Sequence, residues 1–426
     1  MKRILPLALA LTAQAATAEN RIDVIRPDAP DLAAYGDFKV GVQTMTFTNP
    51  DQVDVVNAQA EGDIPTYDRP LTVEIWYPAA ADTMPGGSYD ALLRDGVTEV
   101  TLQGQAVRDA VPLTGDSFPL VIVSHGYPGN RWLMSPLAEN IASKGYVVAS
   151  IDHTDSTYDD MKAFGSTLYN RPWDQRFVID SMATLDGDLG AMTDATNVGV
   201  IGYSMGGYGA LILAGAGVTT ASAGFDFAPP QRLLDRNVMG SETHAQLADD
   251  RIKSFAAFGP WGNNTGFFDA DGLAGITRPL LLIAGGIDDV SGYDAIRGIF
   301  DGAVNSDRHL LTYVNANHNA GAPMPSPAEG FAMNDTLGFA PFEHYADAVW
   351  DNVRMNNIAQ HFLTAWLDQT LKGRDMAAYF DLIPNAADGV RAVDDAGQPT
   401  ADDTYWTGFP DRTAAGLMFE SRSAGE

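Results

Sequence analysis

Six short apolar runs, separated by polar and glycine-containing stretches, dominate the middle of the chain. They occupy residues 119–124, 146–151, 198–201, 252–258, 279–284 and 309–314. Continuous apolar runs of this length are typical of strands that are buried on both faces. Helical patterns lie between or after them, at residues 133–144, 171–189, 207–216, 294–300 and 345–372. This alternation predicts an α/β fold in which helices cover both faces of a mostly parallel central sheet.

The chain before the first buried run has a different pattern. Residues 38–48 and 71–78 alternate apolar and polar side chains, which predicts two half-exposed strands. Residues 49–69 and 79–117 are polar and are predicted to be loops, apart from a short helix at 89–94. We therefore expect two early strands, joined to each other and to the parallel sheet by long loops.

Three further segments depart from the regular pattern and divide the chain. Residues 19–37 contain Pro and Asp without periodicity and predict an extended, peripheral N-terminal arm. Residues 373–426 are rich in Pro, Gly, Ala and Asp and predict a loosely docked C-terminal extension. Residues 217–250 form an insertion that is either a small cap over the carboxyl ends of the strands or a surface excursion. The main α/β domain then spans 38–372.

The first 18 residues have the pattern of a secretory signal. Met1-Lys2-Arg3 precede an apolar run at 4–13, and the small residues Ala16 and Ala18 suit cleavage after Ala18. The run is too short to span a membrane, so a signal peptide and export to the periplasm or the medium are predicted.

Composition and charge narrow the classes of partner. The formal net charge is -29, which repels nucleic acids and anionic lipid surfaces, so neither is an expected partner. The chain has no cysteine and therefore no disulfide and no thiol nucleophile.

Residues 198–213 carry the most specific chemical signal. An apolar run leads into Gly202-Tyr203-Ser204-Met205-Gly206, and a helical pattern follows. A serine that attacks a carbonyl is held on a strained turn between strand and helix, with small residues two before and two after it. The helix that follows aims its free N–H groups at the position of a developing oxyanion. Ser204 is therefore the predicted nucleophile.

A serine hydroxyl requires a base to accept its proton and an acid to orient that base. Asp288 follows the run 279–284, and His318 follows the run 309–314. The chain order Ser204, Asp288, His318 is that of a nucleophile turn, an acid loop and a histidine loop along one sheet edge.

Other residues compete for these two roles. Asp289 is the main rival for the acid, and Asp294 is a weaker one. His125 and His153 also follow apolar runs, but we interpret them as structural histidines.

An oxyanion requires two N–H donors that are already in position. Met205, directly after the nucleophile, is the predicted first donor. Tyr127 in the loop His125-Gly126-Tyr127-Pro128 is the predicted second donor, because Gly126 lets the backbone turn inward and Pro128 has no N–H.

These motifs together resemble the α/β-hydrolase superfamily, and within it bacterial proteins similar to platelet-activating-factor acetylhydrolase, often described as dienelactone-hydrolase-like. The resemblance covers most of residues 38–370. It implies the α/β-hydrolase fold and hydrolysis of carboxylic esters through an acyl-enzyme. The residues that carry it are Ile75-Trp76-Tyr77-Pro78, Ser124-His125-Gly126, the segment 151–156, the turn 202–207 and the loops with Asp288 and His318.

The leading hypothesis from the sequence is an exported serine esterase that acts on a small-molecule ester. Hydrolysis of an amide or peptide by the same triad is the first alternative, and a non-catalytic binding protein on the same fold is the second. No cofactor and no metal are expected. Asp269-Ala270-Asp271-Gly272 resembles the start of a calcium loop, but the glutamate at its twelfth position is missing.

Aromatic residues near the predicted nucleophile suggest the shape of the substrate. An apolar acyl pocket is one interpretation of this set, and an ordinary core is the other. Together with the negative net charge of the chain, the acyl-pocket interpretation predicts a preference for neutral esters with short to medium acyl groups. The set is Trp261, Phe225, Phe227, Phe267 and Phe268.

Overall fold

The protein is described here by a computed structural model that covers residues 19–426. The predicted signal peptide at residues 1–18 lies outside the described residues. Within 19–426, no helix is both long enough and apolar enough to cross a membrane.

The strands and helices alternate through the middle of the chain. The strands are β1 (Asn20–Arg21), β2 (Lys39–Val53), β3 (Thr66–Ala79), β4 (Gly87–Leu92), β5 (Glu99–Gly104), β6 (Val107–Arg108), β7 (Phe118–Ser124), β8 (Val147–Asp152), β9 (Thr193–Tyr203), β10 (Ile252–Phe258), β11 (Leu280–Gly285), β12 (Arg308–Tyr313) and β13 (Leu417–Arg422). The helices are α1 (Ser135–Ala142), α2 (Phe164–Ala183), α3 (Gly187–Met192), α4 (Met205–Leu213), α5 (Glu242–Ala245), α6 (Ala270–Ala274), α7 (Tyr293–Gly302) and α8 (Asn352–Lys372).

The central sheet has ten strands in the order β13-β12-β11-β10-β9-β7-β8-β3-β2-β6. The six strands from β8 to β12 in this order are parallel to their neighbours within the group, and they coincide with the six apolar runs. β3 and β2 extend the sheet in antiparallel fashion at one end, and β13 does so at the other. The predicted mostly parallel sheet is confirmed.

The sheet separates two apolar cores, and successive residues of a strand enter different cores. Trp76 and Ile201 lie in the core that α1 and α8 cover. Ile75 and Val200, one position earlier in the same strands, lie in the core that α2, α4 and α7 cover. Because side chains alternate between the faces of a strand, both positions must be apolar when both faces are covered.

The segment 79–117, predicted to be mainly loop, contains strands instead. β4 and β5 pair with each other, and β1 joins them in a separate three-stranded sheet. The short helix predicted at 89–94 is wrong, because Tyr89 and Ala91 are buried while Asp90 between them is exposed. That alternation is the period of a strand rather than of a helix.

α2 begins at Phe164, earlier than the predicted helix at 171–189, and contains Pro172 in its interior. Proline cannot donate the backbone hydrogen bond that the carbonyl of Leu168 would normally accept. That carbonyl accepts instead from the hydroxyl of Tyr208 and from the side-chain amide of Asn237, at 3.2 Å each. Tertiary contacts therefore let the helix continue through a residue that usually ends one.

The last helix, α8, is also shorter than the predicted 345–372. It begins at Asn352, where the side chain of Asp351 accepts a hydrogen bond from the backbone N–H of Arg354. Gly373 ends it with a φ of 62°, a left-handed conformation that favours glycine.

The predicted loose docking of residues 373–426 is wrong. β13 pairs with β12 as an edge strand of the central sheet, with Phe419 opposite Leu311. Trp406 and Phe409 are buried in the same core as Phe419. The segment before β13 is irregular, so its local pattern does not reveal that its aromatic residues complete the core.

The N-terminal arm lies against α8. The backbone N–H of Arg26 donates to the side chain of Asn357, which donates in turn to the carbonyl of Val24. Further along the arm, Lys144 on the loop after α1 donates to the carbonyl of Leu32.

Candidate active site

Ser204 lies on the turn between β9 and α4 with a φ of 53° and a ψ of -112°. This backbone conformation is strained for a residue with a side chain, and the turn is possible only where neighbouring backbone can approach closely. A Cβ atom on Gly202 would lie 2.2 Å from the carbonyl oxygen of Gly206, and one on Gly206 would lie 1.9 Å from that of Ser124. Both glycines are therefore required by packing around the serine.

Asp288 and His318 lie together at the carboxyl ends of β11 and β12. His318 Nδ1 is 2.8 Å from Asp288 Oδ2, and the second oxygen of Asp288 accepts from the backbone N–H groups of Val290 and Ser291. Burial opposes ionisation of Asp288, but these hydrogen bonds outweigh it, so the pKa of the carboxyl lies below its usual range. The acid is therefore held ionised and aimed at the ring.

The rival acids are placed differently. Asp289 is exposed and uses its backbone N–H to bind the side chain of Asn317, and Asp294 is exposed in the first turn of α7. The geometry therefore favours Asp288 as the partner of His318.

Ser204 and His318 line one cavity of about 490 Å³. Tyr203, directly before the serine, packs its ring 5.2 Å from the imidazole and donates its hydroxyl hydrogen bond to Asn319 in the histidine loop. Within residues 19–426 the ring of His318 is hydrogen-bonded to Asp288 and not to Ser204. Hydrogen bonds between a serine and its base are often long in the absence of substrate and shorten in the complex.

Two free backbone amides adjoin the serine. Neither the N–H of Tyr127 nor that of Met205 donates to a protein acceptor within residues 19–426. Met205 is the first residue of α4, where the helix has no partner for its N–H groups. Tyr127 and Gly126 line the cavity, and Gly126 lies against Ser204, since a Cβ on it would be 3.3 Å from that of the serine. The two amides have the free donors that an oxyanion site needs.

His125 and His153 are buried next to the loop that carries Gly126 and Tyr127. His153 bonds to the hydroxyl of Ser124 at 2.8 Å and to the carboxylate of Asp174 at 3.0 Å. Burial, followed by the charge of Arg171, lowers the pKa of His153 to about 3, and burial likewise lowers the pKa of His125 well below its usual value. Both rings are neutral hydrogen-bonding groups of the interior, as the sequence interpretation expects.

The wall facing these loops is formed by a segment that sequence reasoning missed. Residues 342–348, between β12 and α8, contribute most of the remaining lining of the cavity, and no residue of 217–250 belongs to it. The carboxylate of Asp347 accepts from the backbone N–H of Asn317, next to His318, which ties this wall to the histidine loop. The sequence pattern assigned residues 345–348 to the predicted final helix, so it did not indicate that this segment lines the cavity.

Trp261 approaches Ser204 through its backbone. Its N–H donates to the carbonyl of Ser204 at 3.2 Å, and its indole packs 5.1 Å from the rings of both Phe164 and Phe267. Tyr127, which lines the cavity, also packs 5.1 Å from Phe164. An aromatic cluster therefore adjoins the cavity.

The remaining predicted aromatics divide between this cluster and the core. Phe267 and Phe268 are buried, Phe225 is half-buried, and Phe227 is 42% exposed. Phe227 packs 5.9 Å from Phe164. The insertion 217–250 thus reaches the cluster beside the cavity rather than the cavity itself.

Residues 19–426 contain no group of three or more His, Asp or Glu side chains arranged to hold a metal ion. Asp269, in the segment resembling a calcium loop, caps α6 by accepting from the N–H of Gly272 at 2.8 Å.

Sequence comparisons match parts of the chain. The family model described as platelet-activating factor acetylhydrolase, isoform II, matches residues 88–167, which include Tyr127 but not Ser204, Asp288 or His318. A platelet-activating factor acetylhydrolase from Cavia porcellus is 36% identical over 64 residues, 14% of this chain and 15% of that protein. Cutinase est1 from Thermobifida alba is 26% identical over 212 residues, 49% of this chain and 56% of that protein. The matched regions span about half of these relatives or less.

A structural comparison covers far more of the chain. A ferulic acid esterase from Streptomyces cinnamoneus superposes with a TM-score of 0.54 and 21% identity, over 81% of this chain and 94% of that one. The protein has the α/β-hydrolase fold. In this fold the loops at the carboxyl ends of the parallel strands carry the nucleophile, the acid and the histidine in that order. The α/β-hydrolase fold expected from the sequence is confirmed.

Proposed function

We propose that the protein is a serine esterase that hydrolyses carboxylic esters through an acyl-enzyme. Ser204 Oγ attacks the ester carbonyl while His318 accepts the hydroxyl proton, and Asp288 holds the imidazolium that results. The N–H groups of Tyr127 and Met205 bind the oxyanion. His318 then gives its proton to the departing alcohol, and water attacks the acyl-enzyme by the same route in reverse, releasing the acid.

The hydrogen bond between His318 and Asp288 is the observation that carries the proposal, because it joins two loops from separate strands beside the strained serine. The names of the similar proteins, a platelet-activating factor acetylhydrolase, a cutinase and a ferulic acid esterase, agree with ester hydrolysis. The family-model match at residues 88–167 contains the loop of the proposed oxyanion donor Tyr127.

The charge of the cavity supports a preference for neutral esters. Asp289, Glu343 and Asp347 line it, and none of its lining residues is Lys or Arg. An anionic substrate would approach against this field and against the net charge of -29. The aromatic cluster around Phe164 offers an apolar surface for a short to medium acyl group.

Export of the mature domain is part of the proposal and rests on the signal pattern of residues 1–18. The proposed mature chain consists of the arm 19–37, the catalytic domain 38–372 with its insertion 217–250, and the extension 373–426.

A fluorescent alkyl-phosphonate tests the nucleophile directly. It should label the wild type covalently at Ser204 with loss of p-nitrophenyl ester hydrolysis, and it should not label Ser204→Ala. Ser117→Ala, which removes an exposed serine, is the control and should be labelled like wild type. Labelling of a folded Ser204→Ala would refute the assignment of the nucleophile.

Rates on matched ester and anilide substrates distinguish the esterase proposal from its two alternatives. An esterase cleaves an ester much faster than the anilide of the same acyl group, whereas faster or equal anilide cleavage would favour the amidase alternative. A folded protein with no turnover on any ester or anilide would favour the binding-protein alternative.

A further inference from the structure

The peptide group between Gly126 and Tyr127 is held from its carbonyl side. Its oxygen accepts hydrogen bonds from His125 Nδ1 at 2.7 Å and from Arg171 Nη2 at 3.3 Å. In a trans peptide the C=O and the N–H point in opposite directions. Groups that fix the carbonyl of Gly126 therefore also fix the direction of the Tyr127 N–H. This N–H belongs to a residue that lines the cavity, and it has no protein acceptor in residues 19–426.

Arg171 reaches this carbonyl from the interior. It lies on α2, its residue exposure is 1%, and its Nη1 also donates to the carbonyl of His125 at 2.7 Å. The rest of the guanidinium is fixed by the hydroxyls of Ser156 and Thr167. Two successive carbonyls of the loop are thus bound by one rigid fork.

The partners of Arg171 are unusual for a buried cation. Each group that it hydrogen-bonds is neutral, and within residues 19–426 no carboxylate lies within salt-bridge distance of it. Burial is the main cause that lowers its pKa to about 9, so it is still charged at neutral pH. Gly209 on α4 leaves room for its stem, because a Cβ there would lie 2.6 Å from Arg171 Cγ. A buried charge is costly, and here it is directed at the loop.

We propose that Arg171 is a positioning residue that orients and polarises the Tyr127 N–H for binding of the oxyanion. The inference rests on the proposed esterase function and assigns a role to a residue outside the triad. A cation on the carbonyl side draws electron density from the amide, which strengthens its N–H as a donor. His125 assists from the same side: the backbone N–H of His153 donates to its Nε2, which leaves the ring proton on Nδ1 for the carbonyl of Gly126.

Substitution of Arg171 should weaken binding of the transition state, which carries the oxyanion, and not binding of the ground-state ester. For Arg171→Lys we expect kcat to fall by about tenfold or more, below the 10²–10³-fold cost of losing an oxyanion donor outright. KM should stay within about twofold, because the ground-state ester does not depend on this N–H. The inhibition constant of a phenylboronic acid, which adds to serine as a tetrahedral anion, should rise by the same factor as kcat falls.

Arg69→Lys is the matched control. Arg69 is equally buried but bonds Asp174 and Asp155 rather than the loop. It should lower the melting temperature while kcat per folded enzyme and boronate affinity stay near wild type. If Arg171→Lys behaves like Arg69→Lys, the role of Arg171 is structural and the inference is wrong.

Thr167→Val provides a second, milder variant if Arg171→Lys does not fold. It removes one hydroxyl that fixes the guanidinium, so kcat and boronate affinity should fall together by about twofold or more at constant KM. Unchanged kcat and boronate affinity in a folded Thr167→Val would overturn the inference. Failure of the esterase proposal is separate, since wild type would then neither turn over esters nor be labelled at Ser204.

Discussion

At the scale of single residues, two adjacent aspartates have opposite environments. Asp288 is buried and bonded to His318, whereas Asp289 is exposed on the rim of the cavity. We predict that Asp288→Asn lowers kcat for p-nitrophenyl acetate by about 10⁴-fold, since an amide cannot hold the ring in its working tautomer. Asp289→Asn should stay within about twofold of wild type. The reverse ranking, with both variants folded by circular dichroism, would make Asp289 the acid.

Trp261 is the residue for which the acyl-pocket proposal makes the sharpest prediction. Trp261→Ala should shift the acyl length at which kcat/KM is largest, because it opens the aromatic cluster next to Ser204. Trp173→Ala is the control, because this tryptophan on α2 bonds Asn237 and, within residues 19–426, does not pair with the aromatic cluster around Phe164. Neither indole lines the cavity, and both are half-buried. A profile over p-nitrophenyl esters from two to twelve carbons measures both, and an unshifted profile for Trp261→Ala would assign the indole to packing alone.

At the scale of elements, the C-terminal strand β13 differs most from the prediction, because the composition of residues 373–426 predicts loose docking and the strand packs into the core. β13 supplies Phe419, which stacks on Phe362 of α8 with ring centroids 5.3 Å apart. Phe419→Ala should reduce the free energy of unfolding by about 3–5 kcal/mol in urea titrations, the usual cost of a buried Phe→Ala change.

Val393→Ala is the control for this strand, because Val393 lies in the same extension and is 50% exposed. It should change the free energy of unfolding by about 0.5 kcal/mol or less. If both substitutions had equally small effects, the extension would be loosely docked, as its composition predicts.

The sequence predicts strands and helices correctly where burial on both faces dictates the composition of the element. The prediction fails where contacts with other elements decide whether a segment forms a helix or a strand. The parallel strands were recognised because both faces of each are covered, which requires unbroken apolar runs.

The predicted start of α2 at 171 is wrong. Proline favours the first turn of a helix, so Pro172 fits a start at 171. Only Tyr208 and Asn237 from other elements satisfy the carbonyl that Pro172 leaves free, which lets the helix begin at Phe164. The helix predicted at 89–94 is wrong for the same reason, because pairing with β5 places the residues of β4 alternately in the core and in solvent.

At the scale of the whole molecule, four buried or half-buried histidines make stability depend on pH. Burial is the largest cause that lowers the pKa of each, to about 4 for one and about 3 for three. The unfolded chain binds protons at these positions below pH 6.5, whereas the folded chain does not. Their contribution to stability is thus present above pH 6.5 and is lost as pH falls towards 4, by about 1.4 kcal/mol per pH unit for each. The four are His153 and His361, which are buried, and His309 and His344, which are half-buried.

Buried carboxyls such as Glu139 change stability with pH in the opposite direction, because burial raises their pKa. A variant of one histidine separates its contribution from theirs. His361→Asn keeps an acceptor for the backbone N–H of Leu32 but has no titrating ring. Between pH 6.5 and 4.5, its free energy of unfolding should fall less steeply than that of wild type, by about 1.4 kcal/mol per pH unit. Parallel slopes in urea titrations at five pH values would show that His361 titrates alike in both states.

The sequence by itself determined the parallel sheet, the strained turn at Ser204 and the placement of Asp288 and His318 directly after neighbouring strands. These features have local signatures: apolar runs, glycines at fixed offsets and polar residues directly after strands. The structure favoured Asp288 over Asp289, showed that 342–348 form the facing wall, and showed that Arg171 lies behind the Tyr127 peptide. Each of these depends on which distant segments meet, and contacts between distant segments leave no periodic trace in the chain.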